Sequence, residues 1–174
     1  TELLDFQKVE QSAEQVRLQD IELPMLLRVQ LEKFVLAAQE KHIQLCIETC
    51  PQQQINSDVK MMNLILENLL SNAIKYTPKN SHIVIRTQKR GKQAIVSISD
   101  DGNGIPDEIK PRIFDMFYSG ANQIADSRRS LGLGLSLCKS IINAHGGELT
   151  VSDNLPHGTV FTFTLPAGEV KVYE

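Results

Sequence analysis

Apolar residues recur at helical spacing in the first part of the chain. In residues 1–19 this spacing predicts the tail of a longer helix. A second helix is predicted from Pro24, because proline suits the first turn of a helix, to about Lys41. The apolar positions of the two segments are Leu3, Leu4, Phe6, Val9, Ala13, Val16, Leu26, Leu27, Val29, Leu31, Phe34 and Leu36.

Two further helices are predicted downstream. The first follows Ser57 or Asp58, either of which can cap a helix N-terminus. It ends near Pro78, because proline cannot continue a helix. The second covers about residues 132–144 and ends at a Gly-Gly pair, since glycine is common immediately after a helix.

Short segments in which apolar and polar residues alternate predict strands. Between the third and fourth predicted strands, residues 101–131 are rich in glycine, proline and polar residues, and so long a loop is usually functional. The order of elements predicts an α/β protein, a two-layer α/β sandwich with a mixed, mostly antiparallel sheet and helices on one face. The predicted strands are residues 42–49, 82–88, 93–99, 148–153 and 159–165.

The composition narrows the possible functions. A chain of 174 residues is expected to form one domain, or one domain with a short appendage. Its 18 Lys and Arg against 21 Asp and Glu give a net charge of -3, which argues against a general nucleic-acid binder. No apolar run approaches the roughly 20 residues of a membrane helix. The chain starts in mid-pattern without Met, which predicts a piece of a longer protein.

The helix predicted to end near Pro78 carries a polar stripe beside an apolar one. At about 100° per residue, Asn68, Asn72 and Lys75 share one flank, and Tyr76 lies beside them. An asparagine carbonyl oxygen is a suitable neutral ligand for Mg²⁺, and a lysine ammonium can pair with phosphate. The simpler interpretation is the solvated face of an amphipathic helix. The stripe predicted to face the core is Met62, Leu66, Leu69, Leu70 and Ala73.

Asp100 follows the strand at residues 93–99 and is itself followed by Gly102 and Gly104. A carboxylate in this position can accept a hydrogen bond from the exocyclic amine of adenine. The two glycines would let the backbone approach a ligand closely. The alternative is an ordinary turn at the end of a strand, because Asp and Gly are turn residues in their own right.

Gly132, Leu133, Gly134 and Leu135 open the last predicted helix. A helix N-terminus preceded by flexible backbone is suited to bind phosphate, although the same glycines fit a plain helix start. Arg128 and Arg129 precede this motif and are candidates to clamp a terminal phosphate or to be solvated. No Gly-Lys-Ser/Thr follows, so the motif is not the phosphate loop of common nucleotidases.

Five motifs in this order resemble the catalytic ATP-binding domain of bacterial sensor histidine kinases. That domain has the Bergerat fold, which is shared with gyrase and Hsp90, and the resemblance covers about residues 22–166. Residues 116–145 are similar to the potassium-responsive Kdp-type kinases. One departure is Ser130-Leu131, where the family often has an additional glycine. The motifs are residues 68–76 (N box), 100–104 (first glycine box), 113–117 (F box), 132–135 (second glycine box) and 158–159.

The resemblance implies ATP and Mg²⁺ as cofactors. It implies Asn72 as the Mg²⁺ ligand with Asn68 beside it at the phosphates, Lys75 on phosphate, Tyr76 against adenine and Asp100 on the adenine amine. Residues 105–131 would form the ATP lid. Catalytic roles are expected for Asn68, Lys75, Arg128 and Arg129. Further nucleotide contacts are expected from Gly102, Gly104, Ile105, Phe117, Gly132, Leu133, Gly134, Leu135 and Thr159.

A kinase, rather than an ATPase, is predicted from the residue one turn before Asn72. The hydrolytic relatives carry there a glutamate that activates water, whereas this chain has Asn68, which cannot take a proton. Glu67 is adjacent in sequence, but on a helix it points about 140° away from Asn72. The γ-phosphate is therefore expected to go to a protein nucleophile.

That nucleophile would be a histidine of a dimerisation domain that is absent from this chain. Residues 1–21 are predicted to be the remnant of that domain and a linker, 22–168 the catalytic domain, and 169–174 a tail. The expected partners are the phosphoacceptor domain and a response regulator, with no nucleic acid and no membrane contact by this piece. The domain is expected in the cytoplasm, as part of a homodimeric, membrane-bound parent. The alternatives are a non-catalytic, nucleotide-gated regulatory module and an anti-sigma-type protein-serine kinase.

Overall fold

Helices and strands alternate along the chain in the computed structural model, which describes residues 17–50, 53–115 and 134–166. In that part of the chain, no helix is both long enough and apolar enough to cross a membrane. The elements are β1 (Gln19–Glu22), α1 (Leu23–Glu32), α2 (Val35–Glu40), β2 (Gln44–Glu48), β3 (Gln54–Ser57), α3 (Val59–Tyr76), β4 (His82–Arg90), β5 (Gln93–Asp100), a 3-10 turn (Lys110–Arg112), α4 (Gly134–Ala144), β6 (Glu148–Asp153) and β7 (Thr159–Pro166).

Five of these strands form one sheet in the order β2-β4-β5-β7-β6. Strand β2 runs parallel to β4, and every other neighbouring pair in this sheet is antiparallel. Parallel neighbours need a long crossover connection, which β3 and α3 supply here. The mixed, mostly antiparallel sheet predicted from the sequence is confirmed.

The helices cover one face of this sheet, and the hydrophobic core lies between the two layers. On β4 and β5, Ile85 and Ile98 pair on the covered face, whereas Arg86 and Ser97 pair on the other face. Burying each large apolar side chain contributes roughly 1.5–3 kcal/mol, so the core face fixes the rotation of α3 about its axis. The buried residues of α3 are Met61, Met62, Ile65, Leu66, Leu69, Leu70 and Ile74.

The chain begins differently from the sequence prediction. Residues 17–19 are not helical, because Gln19 starts β1, which pairs antiparallel with β3. Strand β3 was not predicted at all. Residues 1–16 and 167–174 lie outside the described part of the chain, so the predicted helix remnant and tail, and the boundary after residue 21, stay predictions.

The single helix predicted from Pro24 to Lys41 is also wrong, because the structure has two helices, α1 and α2. The interruption lies at Lys33 and Phe34. Their backbone N–H groups donate to carbonyl oxygens three residues back, at 3.1 and 3.0 Å, which tightens the turn and ends α1. Pro24 lies in the first turn of α1, as predicted.

Helix α3 begins at a buried cap. Asp58 is the N-cap: its Oδ1 accepts from the backbone N–H of Met61 at 3.1 Å, and its Oδ2 accepts from that of Arg17 at 2.8 Å. Of the two caps considered, the structure therefore uses Asp58, while Ser57 ends β3. The carboxylate satisfies a free N–H of the helix and also fastens the chain entering β1.

Replacing Asp58 by alanine is expected to lower the free energy of unfolding by about 1–2 kcal/mol, because both N–H groups lose their acceptor. Asp58→Asn is the matched control. It keeps one carbonyl oxygen for Met61 but offers Arg17 a donor, so its loss should be smaller. Urea denaturation measures both, and an unchanged midpoint for the alanine variant would contradict this role of the cap.

Candidate functional site

Asn68 and Asn72 lie on the flank of α3 that faces the start of α4. The side-chain amide of Asn68 donates to the carbonyl oxygen of Leu64 at 2.9 Å, which fixes its orientation. The position that a Cβ would take on Gly134 lies 3.1 Å from Asn68 Oδ1 and 3.9 Å from Asn72 Nδ2. The structure therefore brings both asparagines into contact with the second glycine motif.

Gly134 makes this approach possible. It is buried in α4, and any side chain there would press on the Asn68 amide. The next residue, Leu135, packs against the hydrophobic core instead. Because α3 and α4 pack together, the backbone of α4 approaches the polar flank of α3 while its apolar side chains face the core.

The C-terminal end of α3 carries Lys75 and Tyr76. Lys75 Nζ lies 5.0 Å from the centroid of the Tyr76 ring, a cation–π contact, and Tyr76 is half exposed. Lys41 Nζ donates to the carbonyl oxygens of Ile74 and Lys75 at 2.7 and 3.2 Å, where a cation favours the helix terminus. Burial lowers the pKa of Lys41, and nearby Lys79 adds to this. The cation therefore caps α3 despite the cost of its burial.

Asp100 ends β5 with its side chain on the helix-covered face of the sheet, because it alternates with buried Ile98. The backbone N–H of Gly102 donates to Asp100 Oδ1 at 2.9 Å. Burial raises the pKa of Asp100, N–H groups of Gly102 and Thr159 oppose this, and the charge of Asp101 adds to the increase. The carboxylate is thus held in place and partly shielded from water.

The turn that follows Asp100 packs against the end of α3. A Cβ on Gly102 would lie 2.8 Å from Pro78 Cδ and 3.2 Å from Asp100 Oδ1. Pro78 is the second residue after α3, and Asn72 lies four residues, about one helical turn, before the last residue of the helix, Tyr76. The turn that follows the predicted adenine-binding carboxylate therefore packs just beyond the end of the helix that carries the predicted Mg²⁺ ligand.

A loop at residues 154–158 supports this turn from the other side. The side-chain amide of Asn154 donates to the carbonyl oxygen of Asp100 at 2.7 Å. A Cβ on Gly158, whose φ is +125°, would lie 2.0 Å from the same oxygen, and one on Gly104 would lie 3.3 Å from Gly158 O. The Gly158-Thr159 motif points to this loop, but nothing in the sequence marks Asn154, because its partner is a distant backbone carbonyl.

Lys110 holds the first residues of the predicted lid. Its Nζ donates to the carbonyl oxygen of Ile105 at 2.9 Å and pairs with Asp153 Oδ1 at 2.9 Å, and it also pairs with Asp107. Asp153 is the last residue of β6. The segment after the first glycine box is therefore joined to the end of the edge strand β6.

The first aromatic residue of the F box lies in the sheet–helix interface. Phe114 packs edge-on against Phe161 of β7, with ring centroids 6.2 Å apart. Lys139 Nζ of α4 lies 5.0 Å from the centre of the Phe114 ring. Phe114 thus joins the start of the predicted lid to the sheet and to the helix that opens with Gly134.

Part of the predicted site lies outside the described residues, and its role stays a prediction. Of the remaining predicted residues, Thr159 is buried opposite Asp100 in the ladder between β5 and β7. The contacts described above form two groups, with Asn68, Asn72 and Gly134 on the flank of α3, and Asp100, Gly102 and Gly104 in the turn that packs on Pro78 and Gly158. Lys75 and Tyr76 lie at the C-terminal end of α3. The predicted residues outside the description are Phe117, Arg128, Arg129, Gly132 and Leu133.

Comparison with known proteins shows the family and the fold of the chain. Residues 57–169 match the family described as histidine kinase-, DNA gyrase B-, and HSP90-like ATPase. The chain belongs to this family. The catalytic domain of histidine kinase ThkA superposes on it with a TM-score of 0.78, at 30% identity over 87% of this chain and 97% of that one. The structure of ThkA in complex with response regulator protein TrrA superposes with a TM-score of 0.75, at 27% identity, and the match covers 98% of this chain and 50% of that one.

The named relatives are sensor kinases. Sensor protein KdpD of Clostridium acetobutylicum is 40% identical over 112 residues, which are 64% of this chain and 12% of the relative. Adaptive-response sensory kinase SasA of Rippkaea orientalis is 34% identical over 169 residues, 95% of this chain and 42% of the relative. The chain is thus an ATP-binding domain of the histidine kinase type that spans less than half of either relative.

Gly158→Ala is expected to lower the free energy of unfolding by at least about 3 kcal/mol, because its Cβ would overlap Asp100 O and its φ of +125° disfavours side chains. Gly91→Ala is the matched control, since Gly91 also has a positive φ, +59°, but nothing lies within 4 Å of its Cβ position. That variant should lose only about 1 kcal/mol. Equal losses in urea denaturation would show that the contact of Gly158 with Asp100 is unimportant.

Proposed function

We propose that this domain binds ATP together with Mg²⁺ and transfers the γ-phosphate to a histidine in a separate dimerisation domain of its parent protein. The phosphate then serves signalling to a response regulator. The observation that carries the proposal is the contact of Gly134 with the amides of Asn68 and Asn72 on α3, together with the packing of the Asp100 turn on Pro78, just after the same helix. Three of the sequence motifs thus make contacts along α3 or immediately after it.

The two ends of this region suit the two ends of ATP. At one end, Asp100 presents a carboxylate with lone pairs that the N–H groups of Gly102 and Thr159 do not exhaust, so it can accept from the adenine amine. At the other end, Gly134 of α4 lies against the Asn68 and Asn72 amides, and the helix N-terminus predicted at the second glycine box would attract phosphate. Lys75 and Tyr76 lie between these features in sequence and are proposed to contact phosphate and adenine.

The donor set also fits Mg²⁺. Because Asn68 Nδ2 is used by the Leu64 carbonyl, its Oδ1 is the atom turned toward Gly134. Among the described residues, no group of three or more His, Cys, Asp and Glu is placed to enclose a metal ion. A few neutral amide oxygens suit an ion that keeps waters and binds mainly through substrate phosphates. We assign Asn72 as its ligand, and the ion would neutralise phosphate charge.

The position of Glu67 favours phosphate transfer to a protein rather than to water. Its carboxylate pairs with Lys33 Nζ at 2.8 Å, so it lies toward the end of α1 and away from Gly134. The position facing Gly134 is Asn68, whose amide cannot accept a proton. A general base for water is therefore missing from this position on α3, and positioning with charge neutralisation becomes the main catalytic contribution.

The acceptor is proposed to lie in another domain. The ring of His82 bonds Asp101 at 2.9 Å, and the His145 ring bonds a main-chain carbonyl of α4 at 2.9 Å. His157 approaches Gly102 O, and His42 lies in the turn before β2 with a φ of +55°. We therefore propose structural roles for these four histidines. By analogy with the kinases matched, the proposed partners are a phosphoacceptor domain and a response regulator, in a homodimeric, membrane-bound parent of Kdp type.

The roles of the remaining predicted residues belong to the same proposal. Arg128 and Arg129 would contact the γ-phosphate, and Phe117, Gly132 and Leu133 would contact the nucleotide from the lid side. Their support is the position of the flanking segments. On either side of this stretch, Phe114 packs against the sheet and α4, and Gly134 lies against α3.

Asp100→Asn is expected to weaken nucleotide binding without lowering the stability of the fold. Loss of a charge-assisted hydrogen bond should weaken ADP binding roughly 10- to 100-fold in calorimetry. The free energy of unfolding without nucleotide should be unchanged or higher at pH 7, because burial of Asp100 penalises the ionised carboxylate that asparagine lacks. A variant with weaker folding and unchanged ADP affinity would contradict the assignment of the adenine site.

The difference in free energy of unfolding between wild type and Asp100→Asn should depend on pH, because the pKa of Asp100 is raised. Above that pKa the native state holds the carboxylate ionised, at a cost that the unfolded chain does not have. As the pH falls through the raised pKa, the native state takes up the proton first and the cost disappears. The stability gap between wild type and Asp100→Asn should therefore be largest near neutral pH and close in acid, as measured by urea denaturation at several pH values.

Phosphotransfer is tested with γ-labelled ATP. The domain alone is expected to incorporate no label, and addition of a separately expressed dimerisation domain of the parent should give a labelled histidine, located by mass spectrometry. Asn72→Asp should reduce this labelling strongly, because it adds negative charge beside the phosphates. The matched control is Asn143→Asp at an exposed position of α4.

Label on the isolated domain would contradict the proposed separation of catalytic and acceptor domains. Label on a serine of an added protein would instead support the anti-sigma type of kinase. Nucleotide binding without any phosphotransfer to the dimerisation domain would support a regulatory module.

A further inference from the structure

The loop at residues 154–158 is closed on itself and lies against the turn that carries Asp100. The backbone N–H of Asn154 donates to the carbonyl oxygen of Gly158 at 3.0 Å, which joins the two ends of the loop. Strand β6 ends immediately before the loop and β7 begins immediately after it. Both ends are therefore anchored in the central sheet.

The loop holds the peptide group of Asp100 from two sides. Asn154 Nδ2 donates to Asp100 O at 2.7 Å. Gly158 lies against the same oxygen, so close that no Cβ fits between them. The backbone at the base of the carboxylate is thus fixed by a side chain from outside β5.

A second contact holds the far end of the same turn. His157 Nδ1 and the carbonyl oxygen of Gly102 are 3.0 Å apart. The N–H of Gly102 in turn donates to Asp100 Oδ1 at 2.9 Å. Hydrogen bonds therefore run from the loop to the backbone of Asp100, and from the loop through Gly102 to its carboxylate.

We propose that Asn154 is a positioning residue for base recognition, which makes the domain selective for purines that carry a 6-amino group. This inference rests on the proposed ATP-binding function. Asn154 acts through Asp100: by holding the Asp100 carbonyl it fixes the direction of the Cα–Cβ bond, and so the oxygen that accepts from the base amine. A hydrogen bond to a base needs the acceptor at a defined distance and angle. The bond weakens steeply when either changes.

A purely structural role for Asn154 predicts something different. If the amide only completed the loop, its removal would weaken every nucleotide equally, because the phosphate and base ends would both lose order. A positioning role affects only ligands that donate to Asp100. Two ligands that differ in the 6-amino group therefore separate the two roles.

The experiment compares ADP with purine riboside diphosphate, which has hydrogen in place of the 6-amino group, by calorimetry on wild type and Asn154→Ala. Loss of one net hydrogen bond is expected to weaken ADP binding about three- to tenfold. Binding of the purine riboside diphosphate should change less than about twofold. In an Asp100→Asn background, Asn154→Ala should have no further effect on ADP.

Asn143→Ala, the same change at an exposed position of α4, is the matched control and should alter neither affinity. Thermal melting checks that each variant folds, and Asn154→Ser replaces the alanine variant if that one does not. In NMR hydrogen exchange without nucleotide, the Gly102 amide should exchange faster in the Asn154 variant, while the amides of α3 keep their protection.

Equal weakening of both ligands, or unchanged ADP affinity, would overturn the role of Asn154. These results differ from a failure of the proposed function, in which wild-type protein would bind neither ADP nor the analogue.

Discussion

The contact between Gly134 and the amides of Asn68 and Asn72 is the constraint on which the rest of the site depends. Helix α3 must bury its apolar stripe against the sheet, and this fixes the direction of its neighbouring polar flank. That flank is useful only if another backbone element can approach it closely, which the missing side chain of Gly134 allows. Core packing and the proposed ligand binding therefore depend on two faces of the same helix.

At Asp100 the demands of folding and of the proposed base binding oppose one another. A carboxylate on the helix-covered face is penalised by burial, and its N–H partners do not fully compensate, as the raised pKa shows. A better-solvated carboxylate would be less costly to fold, but water would then compete with the base amine as its hydrogen-bond donor. Contacts of Gly102, Asn154 and Gly158 with Asp100 hold the carboxylate in this unfavourable position.

The sequence was sufficient for most of the fold because the long elements have strong periodic patterns. It failed for β1 and β3, where each four-residue strand contributes a single buried apolar residue, Ile21 and Ile55, so no alternation is visible. The break between α1 and α2 involves Lys33 and Phe34, neither of which opposes helix formation, and so gives no signal. Such features come from pairing and packing across the fold.

The same distinction explains which parts of the site could be found. Glycines and carboxylates in motifs can be recognised from the sequence, because close backbone approach and the need for a charge restrict which residue types can occupy those positions. Asn154 does not, since its donor could be supplied by many polar residues and its acceptor is a backbone atom. Yet its neighbour Asp153 pairs with Lys110 at the start of the predicted lid. One short connection between β6 and β7 therefore bears on both the carboxylate that would read the base and the segment that would cover the phosphates, although only its Gly158-Thr159 end carries a recognisable motif.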